Sequence, residues 1–424
     1  MQIGEADAIF VAGALEAGSR RVPETKKSRI PRRTATSTGM PRVMQEGDFR
    51  MATLMPVPGL LRELNCDPGP ILARVGLDVA AFERPEHRIP FATGGALLEE
   101  CAAATGIPHF GLLAGARFEL SMLGVLGQLM RNSDSVRAAL IQFVRHLHLN
   151  DRGAVTFLLN LNHEEISIGY GVYRHDTPGI GKVYDMALAI GFRLMRALCG
   201  PAWKPMRVSF ARGTPQDAAP YRRYFRAPVH FDSAHSELVF SARWLDRPVA
   251  SPDQSQLVAA ERIALAAEQG DDGRLAERVR RAIQRLVVTG EASSRRISAQ
   301  LGIHERVLRR RLLAQGSSIH ELIGAARFEW ARQLLRDTHL TLAEIASALG
   351  YSDATAFSRA FRNWADMTPS AWRSRAEAAS ARAVVTASPA KASPRKGRRL
   401  PAKRVPAARR KAGAAQKTRT RSKT

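Results

Sequence analysis

The chain has 424 residues, 45% of them hydrophobic, and carries 64 lysines and arginines against 39 acidic residues, a formal net charge of +25. Its apolar content excludes disorder of the whole chain, and its length predicts about two or three domains. The last segment, Ala381 to Thr424, holds 15 basic residues and no acidic one. The overall charge therefore does not by itself indicate that the folded part binds nucleic acid.

The sequence predicts no membrane partner, no metal site and no cofactor. The longest stretch without a charged side chain, residues 101–116, is shorter than the about 20 apolar residues that span a bilayer. The first residues lack the pattern of a secretory signal, so we expect the protein in the cytoplasm. Cys66, Cys101 and Cys199 are isolated and far apart, which favours reduced, buried thiols over a zinc or redox motif.

Residues 1–50 are rich in Ser, Thr, Pro and Arg without sustained periodicity, which predicts a disordered basic arm. From residue 51 the composition becomes globular. Helical spacing occurs over 136–147 and 183–198, and the alternation of apolar and small residues over 166–172 predicts a strand. Further strand candidates are 155–161, 207–211 and 229–240. Residues 51–250 are therefore predicted to form a mixed α+β regulatory domain.

Residues 251–272 are predicted to form a linker helix, and the pattern from Gln254 to Ala267 is equally consistent with a dimerisation helix. Strand patterns are absent from residues 273–376, which are therefore predicted to be all-helical. This region contains 18 arginines and 9 acidic residues, a net charge of +9. Residues 377–424 consist of Ala, Pro, Ser, Lys and Arg repeats, which predict a disordered tail. The predicted fold class is mixed, with an α+β N-terminal domain, an all-α domain and disordered termini.

Two segments of the helical region share one design: a short helix, a glycine-containing turn and a second helix, as in helix-turn-helix motifs. In the first segment a helix ends at Gly302, and the next begins near His304 with Leu308 and Leu312 facing inward. The outward face of this second helix carries three arginines at i, i+3 and i+4: Arg306, Arg309 and Arg310. Such a face can enter a major groove.

In the second segment a helix ends at Gly350, and Asp353 is predicted to cap a helix whose inward face is Phe357, Phe361 and Trp364. The outward face mixes base-reading and phosphate-binding residue types: Ala354, Thr355, Ser358, Arg359, Arg362 and Asn363. Between the two segments, apolar residues from Ile319 to Leu334 predict one helix of about 18 residues, or about 27 Å. Successive major grooves lie about 34 Å apart, so one chain is expected to read two adjacent grooves.

Ordered motifs run through this region: Gln300-Leu301-Gly302, Val307-Leu308-Arg309-Arg310-Arg311-Leu312, Leu342-Ala343-Glu344-Ile345-Ala346, Leu349-Gly350-Tyr351-Ser352-Asp353, Ala356-Phe357-Ser358-Arg359-Ala360-Phe361-Arg362 and Thr368-Pro369-Ser370. With these motifs the region resembles the DNA-binding domain of the AraC/XylS family of bacterial transcription regulators. The family usually has Gly at the position of Asp366, and Asp tolerates a left-handed backbone better than most residues.

The resemblance implies a sequence-specific, effector-responsive transcription regulator that is not an enzyme and is associated with the bacterial nucleoid. Its implied partners are double-stranded promoter DNA, RNA polymerase and an unknown small-molecule effector, and a homodimer is left open. The implied base-edge contacts come from Arg306, Arg309 and Arg310 in the first recognition helix and from Ala354, Thr355 and Arg359 in the second. Arg362 and Asn363 are implied to bind phosphate or to position the helix.

Residues 57–250 resemble the arabinose-binding-type sensor domain of some of these regulators. This resemblance is carried by Phe110-Gly111-Leu112, Leu123-Gly124, Leu126-Gly127, Tyr224-Phe225, Pro228-Val229 and Phe231. Tyr170, Tyr173, His146 and His148 stand among apolar residues, which predicts a small-molecule pocket. Because further ligands at useful spacing are lacking, His146 and His148 are interpreted as helix-surface histidines rather than as metal ligands.

Two other functions are weighed against a regulator. A nonspecific architectural DNA binder would act through the basic tail and the release of counterions, but it would not require two patterned recognition helices. A DNA-repair methyltransferase fused to the same DNA-binding module would require an activated cysteine beside a histidine. None of the three cysteines lies in a Pro-Cys-His sequence.

Overall fold

The computed structural model describes residues 47–174, 176–250, 252–269, 275–288 and 290–387. Most of the predicted arm (1–50) and tail (377–424) lies outside these residues. Where they overlap, prediction and structure differ, because Asp48–Arg50 form a strand and a helix continues to Ala387. The strand forms by pairing with residues 88–90, a partner that the local composition does not reveal.

The N-terminal part, residues 47–250, is an α+β domain, as predicted. Its strands are β1 (Asp48–Arg50), β2 (Arg88–Pro90), β3 (Ala154–Asn160), β4 (Glu165–Val172), β5 (Arg207–Ser209), β6 (Val229–His230) and β7 (Ser236–Ser241). One sheet has the order β3-β4-β7-β5-β6 and is antiparallel except for the β5–β6 pair, while β1 and β2 pair separately. The region 229–240, predicted as one strand, is two strands because a turn around Asp232 (φ +52°) separates them.

The helices of this part place their apolar faces in one core with the sheet. They are α1 (Pro56–Glu63), α2 (Pro68–Ala73), α3 (Phe91–Thr105), α4 (Phe110–Gly115), α5 (Val125–Arg131), α6 (Val136–His146), α7 (Ile180–Cys199) and α8 (Ala219–Phe225). A buried network holds the long helix α7 in position. The Asp185 carboxylate accepts hydrogen bonds from Arg212 Nη2 and from the Tyr221 hydroxyl, each at 2.7 Å.

The two faces of β4 pack against different parts of the molecule. Ile166, Ile168 and Val172 lie in the N-terminal core. On the opposite face, a Cβ at Gly169 would overlap the ring of Phe157, and a Cβ at Gly171 would overlap the ring of Trp330. The glycines therefore allow two aromatic rings to approach the strand backbone closely.

Helix α9 (Gln254–Gln269) lies within the region predicted as a linker helix, 251–272. Leu257, Ala260 and Ala264 pack against Leu129 of α5, so one face of α9 is attached to the N-terminal part. Elsewhere on the helix, Ile263 and Leu265 are 52% and 54% exposed. Dimerisation through α9 stays a prediction.

The C-terminal part is all-helical, as predicted, and its apolar residues form a second core. Its helices are α10 (Leu275–Val288), α11 (Ser294–Leu301), α12 (Glu305–Ala314), α13 (Ile319–Asp337), α14 (Leu342–Ala348), α15 (Ala354–Ala365) and α16 (Pro369–Ala387). Across the described ranges, none of the helices is both long and apolar enough to cross a membrane.

Candidate functional site

The first helix-turn-helix unit consists of α11 and α12. Gly302 ends α11 in the left-handed conformation (φ +63°), and His304 caps α12, where its Nδ1 accepts a hydrogen bond from the backbone N–H of Arg306 at 3.3 Å. Leu308 and Leu312 are fully buried. These positions confirm the helix boundary and the inward face predicted from the sequence.

The outward face of α12 presents the three predicted arginines to solvent: Arg306, Arg309 and Arg310. Arg309 Nη2 donates to Glu305 Oε1 at 3.3 Å, one turn earlier on the helix. An exposed pair of this kind contributes little to stability, so the guanidinium of Arg309 can exchange Glu305 for another acceptor.

The second unit consists of α14 and α15. A reciprocal capping box between Thr341 and Glu344 begins α14, and Gly350 follows the helix with a φ of +71°. Asp353 caps α15 by accepting a hydrogen bond from the N–H of Ala356 at 2.7 Å. Asp366 ends α15 in the left-handed conformation (φ +53°), as expected for a residue standing where the family usually has Gly.

The inward face of α15 is formed by the buried Phe357 and Phe361 and the half-buried Trp364. Its outward face exposes four of the predicted site residues: Thr355, Arg359, Arg362 and Asn363. Ala354, at the first turn, is half-buried. The helix therefore presents a mixed polar and basic surface beside a methyl group.

Asp353 provides a pH-sensitive test of how α15 begins. The hydrogen bonds from Ala356 N–H and from the Ser352 hydroxyl lower its pKa below the ordinary value. A carboxylate with a lowered pKa stabilises the fold at neutral pH, and this contribution disappears as the pH falls below about 4. We expect Asp353→Ala to lower the melting temperature at neutral pH, with a difference from wild type that shrinks in acid. Asp353→Asn, which keeps the cap without the charge, should retain most of the stability.

Helix α13 connects the two units. It begins with a capping box between Ser318 and Glu321 and extends for 19 residues to Asp337, about 28 Å at 1.5 Å per residue. This length agrees with the helix predicted between the units. Its buried face includes Ala326, Trp330 and Leu334.

A cavity of about 100 Å³ lies in the N-terminal part between the sheet, α3, α6 and α7. Tyr170 lines it, as predicted, but Tyr173, His146 and His148 do not. Tyr173 packs in the second core. The two histidines are buried, not on a helix surface, because α6 ends at His146 and a 3₁₀ turn redirects the chain through His148.

The cavity has one polar corner. The Tyr170 hydroxyl donates to Asp151 Oδ2 at 2.5 Å, and the N–H of Gly153 donates to Asp151 Oδ1 at 2.9 Å. Burial raises the pKa of Asp151 to about 6. No local sequence pattern indicates Asp151, because its position in the cavity depends on the chain path after α6.

The second core includes residues from both parts of the chain: Val155 and Phe157 of β3 pack with residues of α10 and α13. The indole of Trp330 on α13 lies against Gly171 of β4 and donates from Nε1 to Gln284 Oε1 at 2.9 Å. The helix that joins the two helix-turn-helix units therefore rests directly on the sheet.

Two polar contacts also join the N-terminal part to residues 333–339. Gln333 of α13 donates a hydrogen bond to the buried hydroxyl of Tyr184 on α7. Asp232 Oδ1 accepts from the backbone N–H of His339 at 3.1 Å and lies 2.9 Å from its Nδ1. The ring of Tyr184 also meets that of Tyr170, with centroids 6.5 Å apart. A chain of contacts thus leads from the cavity to α13.

Comparison with known proteins gives matches over both parts. The family model described as the arabinose-binding domain of AraC transcription regulators, N-terminal, matches residues 66–249, and one described as a helix-turn-helix domain matches residues 297–375. The HTH-type transcriptional regulator VirS of Mycobacterium tuberculosis is 30% identical over 328 residues, which cover 77% of this chain and 96% of VirS.

The Ornithine utilization regulator of Pseudomonas aeruginosa is 28% identical over 309 residues, covering 71% of this chain and 88% of that protein. The crystal structure of the transcriptional regulator CdpR from Pseudomonas aeruginosa matches with 24% identity and a TM-score of 0.38, covering 74% of this chain and 98% of CdpR.

The helix-turn-helix units beside an α+β domain define a DNA-binding transcription regulator with a ligand-binding domain. The chain belongs to the AraC family of these regulators.

Proposed function

We propose that this regulator binds a specific operator by placing α12 and α15 in two adjacent major grooves, and that a small-molecule effector in the N-terminal part changes this binding. The observation that carries the proposal is the pair of capped helices with exposed polar faces, joined by the 19-residue helix α13. Helix-turn-helix proteins bind DNA through the second helix of the motif.

Within this proposal Arg306, Arg309 and Arg310 read base edges from α12, and Ala354, Thr355 and Arg359 read them from α15. Arg362 and Asn363 bind phosphate or position the helix. Arginine suits the first role because its guanidinium binds guanine O6 and N7 in a bidentate manner. The half-buried methyl group of Ala354 suits contact with a thymine methyl.

The effector part of the proposal is supported by the position of the cavity relative to α13. Thr156 and Tyr170 line the cavity from β3 and β4, while Val155, Phe157 and Gly171 of the same strands contact the second core. An effector changes DNA binding only if it binds the DNA-competent and DNA-incompetent states unequally. Contact with RNA polymerase and formation of a homodimer are further proposals that follow from the family.

The DNA-binding proposal predicts that Arg309→Ala and Arg359→Ala each relax sequence preference by about 1–3 kcal/mol at one position of the operator. The operator is first selected from random DNA, and binding of each variant is then measured against single-base changes. Arg262→Ala, which removes an exposed arginine of α9, is the charge-matched control and should leave the preference unchanged.

Deletion of residues 388–424 separates this function from an architectural one. We expect the deletion to weaken binding to all DNA similarly and to flatten its salt dependence, because the removed charge acts through counterion release. If the deletion abolished sequence preference while Arg309→Ala and Arg359→Ala left it intact, the recognition helices would not be the source of specificity.

The methyltransferase alternative is disfavoured by the burial of two of the three thiols, Cys101 and Cys199. Burial raises the pKa of Cys101 and that of Cys199 to about 12, whereas a nucleophilic cysteine requires a lowered pKa. Methyl transfer from alkylated DNA to any of the three cysteines would revive this alternative.

A further inference from the structure

The cavity in the N-terminal part has an almost entirely apolar wall. Side chains from the sheet and from α3, α6 and α7 form it, among them Phe91, Phe143, Ile168, Met186 and Leu238. Its volume of about 100 Å³ is smaller than the about 150 Å³ of an engineered cavity that binds benzene. A ligand of this cavity therefore has a compact apolar body.

One buried polar group in the wall lacks a partner. Thr156 is 2% exposed and lines the cavity, and its hydroxyl has no hydrogen-bond partner among the residues that the structure describes. Such groups are rare in folded proteins and call for an explanation. Thr156 is paired across the strands with Tyr170, so the two side chains are neighbours on the face of the sheet that lines the cavity, and Tyr170 reaches the polar corner at Asp151.

This corner mainly offers acceptors. Because the Tyr170 hydroxyl donates its hydrogen to Asp151, the lone pairs of Tyr170 and the carboxylate oxygens can accept from a ligand, and the Thr156 hydroxyl can donate or accept. The amide of Asn150, which also lines the cavity, is already bonded to Arg50 and to the carbonyl of Leu123.

Above the raised pKa of Asp151, about 6, the corner carries a negative charge. Within the described residues no Lys, Arg or His lines the cavity, and Asp151 is its one carboxyl. Arg88, whose charge acts on Asp151, is held by Asp48 and by the carbonyl of Leu149 and lies outside the lining. A carboxylate ligand would meet a like charge there, whereas an ammonium or hydroxyl group would be attracted.

We propose that the cavity binds a small molecule with an apolar body and a single hydrogen-bond-donating head, a hydroxyl or an ammonium group, which donates to Asp151 or Tyr170 and bonds to the Thr156 hydroxyl. This ligand class deepens the proposed function by stating which effectors the site accepts. It excludes a free sugar such as arabinose, because most of the sugar hydroxyls would face the apolar wall without partners.

The test measures ligand binding to the full chain by thermal shift and calorimetry, with probes of one body size: 1-butanol, butylamine, butyrate and pentane, together with arabinose. Butanol, butylamine and pentane should raise the melting temperature in a saturable manner, and butyrate and arabinose should not. The proposed ligand class would be wrong if butyrate or arabinose bound at least as tightly as butanol. It would also be wrong if none of the probes bound up to its solubility limit.

Substitutions in the cavity wall test where the probes bind. Thr156→Val and Tyr170→Phe should each weaken binding of butanol about fivefold to tenfold while leaving pentane binding intact. Ala187→Phe should fill the cavity and abolish binding of butanol, butylamine and pentane. Thr105→Val, which removes a hydroxyl bonded to the carbonyl of Cys101 outside the cavity, is the matched control and should bind normally. Unchanged butanol affinity in both Thr156→Val and Tyr170→Phe, with native circular dichroism, would reject the polar corner as the head-group site.

DNA binding is a separate readout. If butanol or butylamine binds as expected but neither changes operator affinity, the ligand class stands and the effector-responsive part of the proposed function fails. If the operator affinity responds to a carboxylate or a sugar instead, the regulator is effector-responsive and the ligand class fails.

Discussion

Phe361→Ala is expected to unfold the second helix-turn-helix unit and to abolish operator binding. The Phe361 ring is fully buried, with ring centroids 5.4 Å from Phe328, 5.8 Å from Phe357 and 5.9 Å from Trp372. Removing a buried phenylalanine costs about 3–5 kcal/mol, a large fraction of the about 5–15 kcal/mol by which a typical domain is stable. Helix α15 would lose the contacts that hold it on α13.

Chemical denaturation and circular dichroism measure this loss, and operator affinity is measured on the same samples. Arg362→Ala, the neighbouring exposed position, should change the free energy of unfolding by no more than about 0.5 kcal/mol. A stability of Phe361→Ala equal to that of Arg362→Ala would mean that the aromatic cluster does not hold α15 in place.

The helical part could be predicted closely from the sequence because its signals are local. Gly302, Asp353 and Asp366 each act within one turn of the helix that they begin or end, and the spacing of Phe357 and Phe361 follows the helical period directly. The structure places all of these residues as the sequence indicates.

The cavity and its contact with α13 could not be predicted in the same way. Their positions depend on pairings between residues far apart in sequence, such as Thr156 with Tyr170 and Tyr184 with Gln333. One signal was present: Gly171 in an otherwise strong strand indicates a close approach of another group. The sequence does not reveal that this group is Trp330.

The burial of His146 and His148 shows a second limit of local patterns. Two residues separated by one position cannot share a face of a continuous helix, so the spacing favours exposure of at least one. The helix ends between them, and the centroids of the two rings lie 6.2 Å apart. Because the helix changes type at this point, both histidines are buried and do not lie on a helix surface as the sequence predicts.

Gly171→Ala is expected to disrupt the contact between the sheet and α13. The new methyl group would overlap the Trp330 ring, which cannot turn aside easily because it is buried and bonded to Gln284. Overpacking of this kind costs about 3 kcal/mol at the upper end of its usual range. We expect two thermal transitions in place of one, because the two parts would no longer unfold as a unit.

Two further variants test whether Gly171→Ala acts through the contact with Trp330. Gly59→Ala adds the same methyl group within α1, where no atom lies within 4 Å of the new carbon, and should leave stability unchanged or slightly improved. Trp330→Leu removes the far edge of the indole. In that background, Gly171→Ala should therefore lower the free energy of unfolding clearly less than it does in wild type. Equal costs in the two backgrounds would show that Gly171 does not act through Trp330.

The same variants test whether the contact carries the effector signal. If the cavity changes DNA binding through β4 and α13, Gly171→Ala should retain ligand binding while the ligand loses its influence on operator affinity, because only the coupling between the two sites is removed. Tyr184→Phe, which removes the hydroxyl that accepts from Gln333, should reduce the influence in the same direction. A ligand response that survived both substitutions at full size would place the coupling outside this surface.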